Sequence, residues 1–152
     1  MSRSTVFPYG IVLREGGAVD MFPAVKLLFP YKNGGEVTFL LLIDSGAHMS
    51  ALPMTDADII GVRAEDGDLM SVAGINGVPI RGWRHDIPVR CENNFIHLPV
   101  VFLDDTLAPR VLGRAGVFEK FTIVFDETKK RSGFLPTDTI EAKSVNKILN
   151  NL

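Results

Sequence analysis

Short apolar runs separated by turn residues fill this chain. Runs rich in Val, Ile, Leu and Phe are bounded by Gly, Pro, Asn and Asp, with 14 Gly and 9 Pro spread along the length. Many short strands in succession with such punctuation predict an all-β sandwich or barrel. Residues 24–31 and 36–43 read as consecutive strands. Asn33-Gly34-Gly35 between them is a hairpin signal, because these residues tolerate positive φ. Val37, Phe39 and Leu41 alternate with Thr38, Leu40 and Leu42, and the alternation degrades toward Ile43, as it does where both faces become buried. Further strands are expected at 69–72, 78–85, 87–91, 96–103, 111–112 and 121–125. The first two form a hairpin with Ala73-Gly74-Ile75-Asn76-Gly77 as its tip. A short helix is expected within 52–60, with Thr55 or Asp56 as N-cap. One or two helical turns are expected over 114–120. Val145, Ile148, Leu149 and Leu152 fall at helical spacing and predict an amphipathic tail helix, with a frayed polar terminus as the other reading.

Composition narrows the class. A chain of 152 residues fits one domain with room for a core. The boundaries read as an N-terminal extension or strand over 1–23, a main domain over 24–136 and a C-terminal tail over 137–152. A net charge of −2 implies no general attraction to nucleic acid or to an anionic membrane. Lys129-Lys130-Arg131 reads as a solvated loop. Cys91 is alone, so no intrachain disulfide is expected, and its apolar surroundings suggest a buried, inert thiol. None of His48, His85 and His97 stands in a cysteine-protease setting. The first residues lack the apolar stretch of a signal peptide, and no segment approaches a membrane span. A reducing cytoplasm is the expected compartment.

The candidate chemistry sits at Leu41-Leu42-Ile43-Asp44-Ser45-Gly46-Ala47, where an apolar strand stops at a carboxylate. Asp, Ser and Gly are also favoured turn residues, so this string alone reads first as a turn. A single carboxylate is a poor catalyst of amide hydrolysis. Two placed side by side hold one proton between them, because both cannot ionise cheaply. The charged one can then take a proton from water while the protonated one donates to a carbonyl. Ser45 offers a hydroxyl to brace paired loops, Gly46 leaves its amide free for the carboxylate, and Ala47 leaves room for a substrate. A metal site using Asp44, His48 and another His has suitable residue types but no recognisable ligand spacing.

Three features then occur in order: the Asp44-Ser45-Gly46-Ala47 loop after its strand, the glycine-rich hairpin, and Val111-Leu112-Gly113-Arg114. Over about residues 24–134 the chain resembles the retroviral-type aspartic proteases (retropepsins) and their bacterial single-domain relatives. The resemblance implies a small closed β-barrel of the acid-protease type, with one or two short helices and a flap hairpin. It implies that Asp44 is catalytic and that Ala73, Gly74, Ile75, Asn76 and Gly77 form the flap tip. It further implies that Leu112, Gly113 and Arg114 are the second signature, packing behind the catalytic loop and opening a short helix. No cofactor and no metal are implied. Asp44 is the only Asp in such a loop, since Asp138-Thr139-Ile140 lacks the glycine. Two copies of Asp44 must therefore meet across a twofold axis, in a homodimer whose cleft takes an extended peptide. Apolar pockets from Leu52, Val72, Ile75, Val78 and Val111 are implied as well. In retroviral members an Asp usually follows the small residue of the loop and pairs with the signature Arg. Here that place is His48, so Arg114 is expected to reach another acid, such as Asp104 or Asp105, or the partner subunit. The expected function is that of a homodimeric aspartic endopeptidase; the alternative is a dimeric peptide-binding module of the same fold with weak or no hydrolysis.

Overall fold

Strands dominate the chain in a computed structural model that describes residues 2–73 and 76–152. Strands β1 (Thr5–Pro8), β2 (Gly10–Leu13) and β3 (Val19–Phe22) precede the first expected strand. Then come β4 (Ala24–Pro30), β5 (Glu36–Ile43), β6 (Ser50–Pro53) and helix α1 (Met54–Ile60). They are followed by β7 (Asp68–Ala73), β8 (Pro79–Cys91), β9 (Asn94–Leu103) and β10 (Val111–Leu112). Strands β11 (Phe121–Asp126) and β12 (Arg131–Pro136) and helix α2 (Ile140–Leu149) complete the order.

A seven-stranded sheet has the order β4-β5-β10-β6-β9-β8-β7, and a further pairing of β4 with β8 at Leu28 and Arg90 ties strands from opposite parts of that order. The second sheet is β1-β12-β11, and among the described residues β2 pairs only with β3. The core follows strand periodicity. Val25, Leu27 and Phe29 of β4 and Phe39, Leu41 and Ile43 of β5 are buried, while Lys26, Thr38 and Leu40 alternate outward. Strand β9 is buried on both faces from Val100 to Leu103, as expected of a strand with neighbours on each side and layers above and below. Phe134 of β12 packs edge-on to Phe7 and Phe121, with ring centroids 5.6 and 5.7 Å away, and so ties β1 and β11 together. Cys91 is buried, and desolvation pushes its thiol up to about 12, which leaves it uncharged and inert.

Several expectations need correction. The two strands expected at 78–85 and 87–91 are one, because Asp86 and Pro88 face outward while Ile87, Val89 and Cys91 face inward, and the ladder with β9 runs unbroken from Gly82 to Cys91. The cap of α1 is Pro53, which makes no side-chain hydrogen bond; Thr55 and Asp56 lie inside the helix. No helix forms over 114–120. Instead there are two separate turns, with bonds from Val117 N and Phe118 N to Arg114 O and from Lys120 N and Phe121 N to Val117 O, and Gly116 at φ +78° keeps them from forming one helix. The tail helix starts earlier than its apolar spacing suggested: Thr139 Oγ1 accepts from Ala142 N at 3.4 Å and sets its first turn. Only Ala142 of that helix is buried, and Ile148 and Leu149 stay exposed. No helix among the described residues is long and apolar enough to cross a membrane.

Candidate active site

Asp44 leaves the end of β5 half-buried, at a point where three segments converge. Strand β10 runs parallel to β5, with Val111 beside Leu42 and Leu112 beside Ile43. Leu42 N donates to Arg110 O and Asp44 N to Leu112 O, each at 2.9 Å, so β10 fixes the backbone on which the carboxylate is mounted. On the other side Ile43 N donates to Pro23 O at 3.0 Å. The loop then closes on itself. Gly46 N donates to Asp44 Oδ1 at 2.8 Å and Ala47 N to Asp44 O at 3.2 Å. The other oxygen, Oδ2, takes no protein hydrogen bond among the described residues. One oxygen anchored and one open is the arrangement a proton-transferring carboxylate needs.

The second signature packs behind this loop. Gly113 N donates to Ser50 Oγ at 3.0 Å, and Ser50 is fully buried. Arg114 N donates to Ala47 O at 3.0 Å and Ala115 N to His48 O at 2.8 Å. The Arg114 guanidinium reaches Ser45 O at 2.6 Å. The acid expected for Arg114 is therefore replaced by a backbone carbonyl. Asp104 pairs with Arg81 at 2.7 Å, and Asp105 accepts from Leu107 N within its own turn. His48 is exposed and serves through its carbonyl.

Asp44, Ser45, Gly46 and Ala47 are thus brought together with Leu112, Gly113 and Arg114. The hairpin of β7 and β8 carries the remaining expected site residues. Ala73 ends β7 opposite Pro79, and Asn76 Oδ1 accepts from Val78 N at 3.1 Å in the turn, next to Gly77. Gly74 and Ile75 lie outside the described residues.

Arg110, which the sequence did not single out, and Asp56, expected only as a helix cap, shape the surroundings. Asp56 of α1 is 1% exposed and takes a bidentate pair from Arg110, with Nε to Oδ2 at 2.7 Å and a terminal nitrogen to Oδ1 at 2.9 Å. The same guanidinium lies 4.3 Å from the centre of the Phe39 ring. Arg110 also borders an open groove of about 530 Å³ whose apolar wall includes Val12, Phe22, Leu40 and Leu42. Leu42, on the groove wall, stands two residues before Asp44 in the chain. Leu52, expected in a pocket, is instead fully buried in the core. No local signal marks Asp56 and Arg110, which lie 54 positions apart; only a buried acid in a helix lacking a side-chain cap hints at the first. Among the described residues no three His, Cys, Asp or Glu side chains gather as a metal site would require.

No family model matches the sequence, and no curated protein matches it. Solved structures do. The crystal structure of a retropepsin-like aspartic protease from Rickettsia conorii matches 88% of this chain and 99% of its own, with a TM-score of 0.57 and 16% identity. The fold is retropepsin-like. At that identity the likeness speaks for the fold alone, so the roles of individual side chains rest on the geometry above.

Proposed function

We propose that this chain is a homodimeric aspartic endopeptidase whose dyad is Asp44 from each of two copies. The observation that carries the reading is the mounting of Asp44: a carboxylate at a strand end, one oxygen tied to Gly46 N and the other open, in a fold shared with a retropepsin-like aspartic protease. In the proposed reaction the ionised Asp44 takes a proton from water as its oxygen attacks the peptide carbonyl carbon. The protonated Asp44 gives its proton to the carbonyl oxygen. Collapse of the tetrahedral adduct breaks the C–N bond: the carboxyl that took the water proton gives it to the amine nitrogen, and the other carboxyl recovers its proton from the adduct's hydroxyl, which restores the dyad. The strand ring acts as a small closed barrel that holds the loop. The β7–β8 hairpin, with Asn76 and Gly77 in its turn, is the flap that excludes water. The groove beside Leu42 takes an apolar side chain of an extended substrate.

One observation favours the second reading, a dimeric peptide-binding module. With His48 in the loop, Arg114 is engaged by the Ser45 carbonyl rather than by an acid, so the loop lacks the ion-paired brace of retroviral members. Asp44→Asn separates the two. Wild type is expected to cleave members of a broad peptide library between acidic and neutral pH. The variant is expected to stay folded and lose at least a hundredfold in rate, the scale of one general acid–base group. Undiminished cleavage by purified Asp44→Asn would end the dyad reading. Peptide binding without cleavage by the wild type would favour the module.

A further inference from the structure

The arm formed by β2 and β3 stands apart from both larger sheets. Its register pairs Ile11 with Met21 and Leu13 with Val19. Directly opposite residues share a face, and so do residues two apart, so these four side chains form one patch. All four are exposed, by 62% for Ile11, 44% for Met21, 77% for Leu13 and 56% for Val19. The opposite face carries Val12 and Phe22, which line the groove beside Leu42. The arm thus shows its polar-free face outward and its other face to the groove. A two-stranded hairpin is marginal in water unless an apolar face is covered.

We propose that this face packs against a second copy of the chain, making the arm part of the dimer contact beside Asp44. The proposal rests on the dimeric reading above. Three features select a second copy as the occupant. First, the arm is rooted at the candidate site: Pro23, next after β3, accepts from Ile43 N, and Asp44 is the following residue. A twofold axis that brings two Asp44 side chains together therefore runs past both arms. Second, the patch itself carries no charge; near the arm's end Arg14 and Asp20 pair with each other, and the acid Glu15 sits in the connecting turn rather than on the patch. Nothing on it steers toward a charged partner. Third, four half-exposed aliphatic residues present on the order of several hundred Å². An isologous contact doubles that, toward the roughly 1,000 Å² that a specific interface needs.

Leu13→Glu with Val19→Lys tests this. The new side chains face each other as an opposite-charge pair, which keeps the hairpin and the net charge. Sedimentation velocity on the 152-residue chain is expected to show a dimer dissociation constant raised at least tenfold. Cleavage per chain should fall at low concentration and recover at high concentration, which a purely catalytic defect would not do. Ile148→Glu with Leu149→Lys on the exposed face of α2 is the control, expected to leave the constant within threefold. A wild-type dimer that the arm variant forms equally well overturns the arm proposal and leaves the protease reading standing. Loss of dimer only in the α2 variant also overturns it. A wild type that is monomeric at every concentration and shows no Asp44-dependent cleavage overturns both. Binding of the wild type to phosphatidylcholine vesicles, lost in the arm variant with dimerisation unchanged, would give the face to a lipid surface and overturn the proposal.

Discussion

At Gly113 the chain crosses so close to the segment before β6 that a methyl group would lie 2.5 Å from Met49 O and 2.9 Å from His48 O. Both neighbours are backbone and cannot swing aside. The same crossing brings Gly113 N to Ser50 Oγ, Leu112 O to Asp44 N and Arg114 to Ser45 O. Gly113→Ala should therefore push β10 away from the loop. A cost of about 2 kcal/mol is expected from overpacking, together with a larger proportional loss of cleavage because the carboxylate loses its fixed mount. Urea unfolding and peptide cleavage measure the two; a wild-type midpoint would show that the crossing has slack. At this scale Asp44-Ser45-Gly46 was legible as a turn from its residue types, and Leu112-Gly113-Arg114 only through its resemblance to the retropepsin signature. The partner of Arg114 was not. Its acceptor is a carbonyl, and a carbonyl is present at every position. Ser50 was hidden for a related reason: an isolated serine before Ala51-Leu52 carries no sign that it will meet Gly113.

Among the elements, α1 and the segment entering β10 are joined by the Asp56–Arg110 pair. Arg110 O holds Leu42 N while its side chain clamps Asp56 and covers Phe39, so one residue links α1, β5 and β10. Removing the cation alone leaves a buried carboxylate without a partner, whereas removing both charges leaves an apolar contact. Arg110→Met is expected to cost about 3 kcal/mol, at the low end for a buried pair because the arginine is partly exposed. Asp56→Leu combined with Arg110→Met is expected to recover most of it. Chemical denaturation of wild type, both singles and the double forms the cycle that measures the coupling. Additive single effects would mean that the clamp contributes nothing. The strands that the sequence made legible, such as β4, β5 and β9, combine apolar runs with strong punctuation. Those it obscured are of two kinds. Asp86 looked like a break in β8 because outward polar residues and turn residues are the same types. Strand β1 has one buried residue, Phe7, and β12 buries Ser132, Phe134 and Pro136 in alternation, but its serine, glycine and proline are also turn residues, which hid the strand.

For the whole molecule, an all-β fold followed from punctuation alone, but the sheet order did not, because β5, β10 and β6 are neighbours through pairings that span long stretches of chain. What those long closures imply for acid stability is testable. Arg90 of β8 donates from Nε to Glu36 of β5 at 2.9 Å, and this bond holds the glutamate below its ordinary value of 4.5. Arg131 first, then Lys129 N, hold Asp126 below 3.8. Lys130 and Tyr9 lower Glu127, and its own backbone amide and Ser4 lower Glu141. In each case the unfolded chain takes up a proton at a higher pH than the folded one. Their contribution is therefore complete above the ordinary carboxylate range and is lost as pH falls through the lowered folded values. All are surface groups, so each contributes little and salt weakens it. The melting temperature is expected to be nearly flat from about pH 7 to about pH 5 and to fall below about pH 4. Melts by circular dichroism in low and high salt check this, and a melting temperature that rises steadily into acid would contradict it. The consequence for the proposed reaction is a separation of two causes. A dyad sharing one proton loses activity as the second carboxyl ionises, with the fold intact and the loss reversible. On the acid side two causes act, protonation of the ionised carboxyl and unfolding, so rate lost ahead of ellipticity on the same samples belongs to the dyad and rate lost together with ellipticity belongs to the fold.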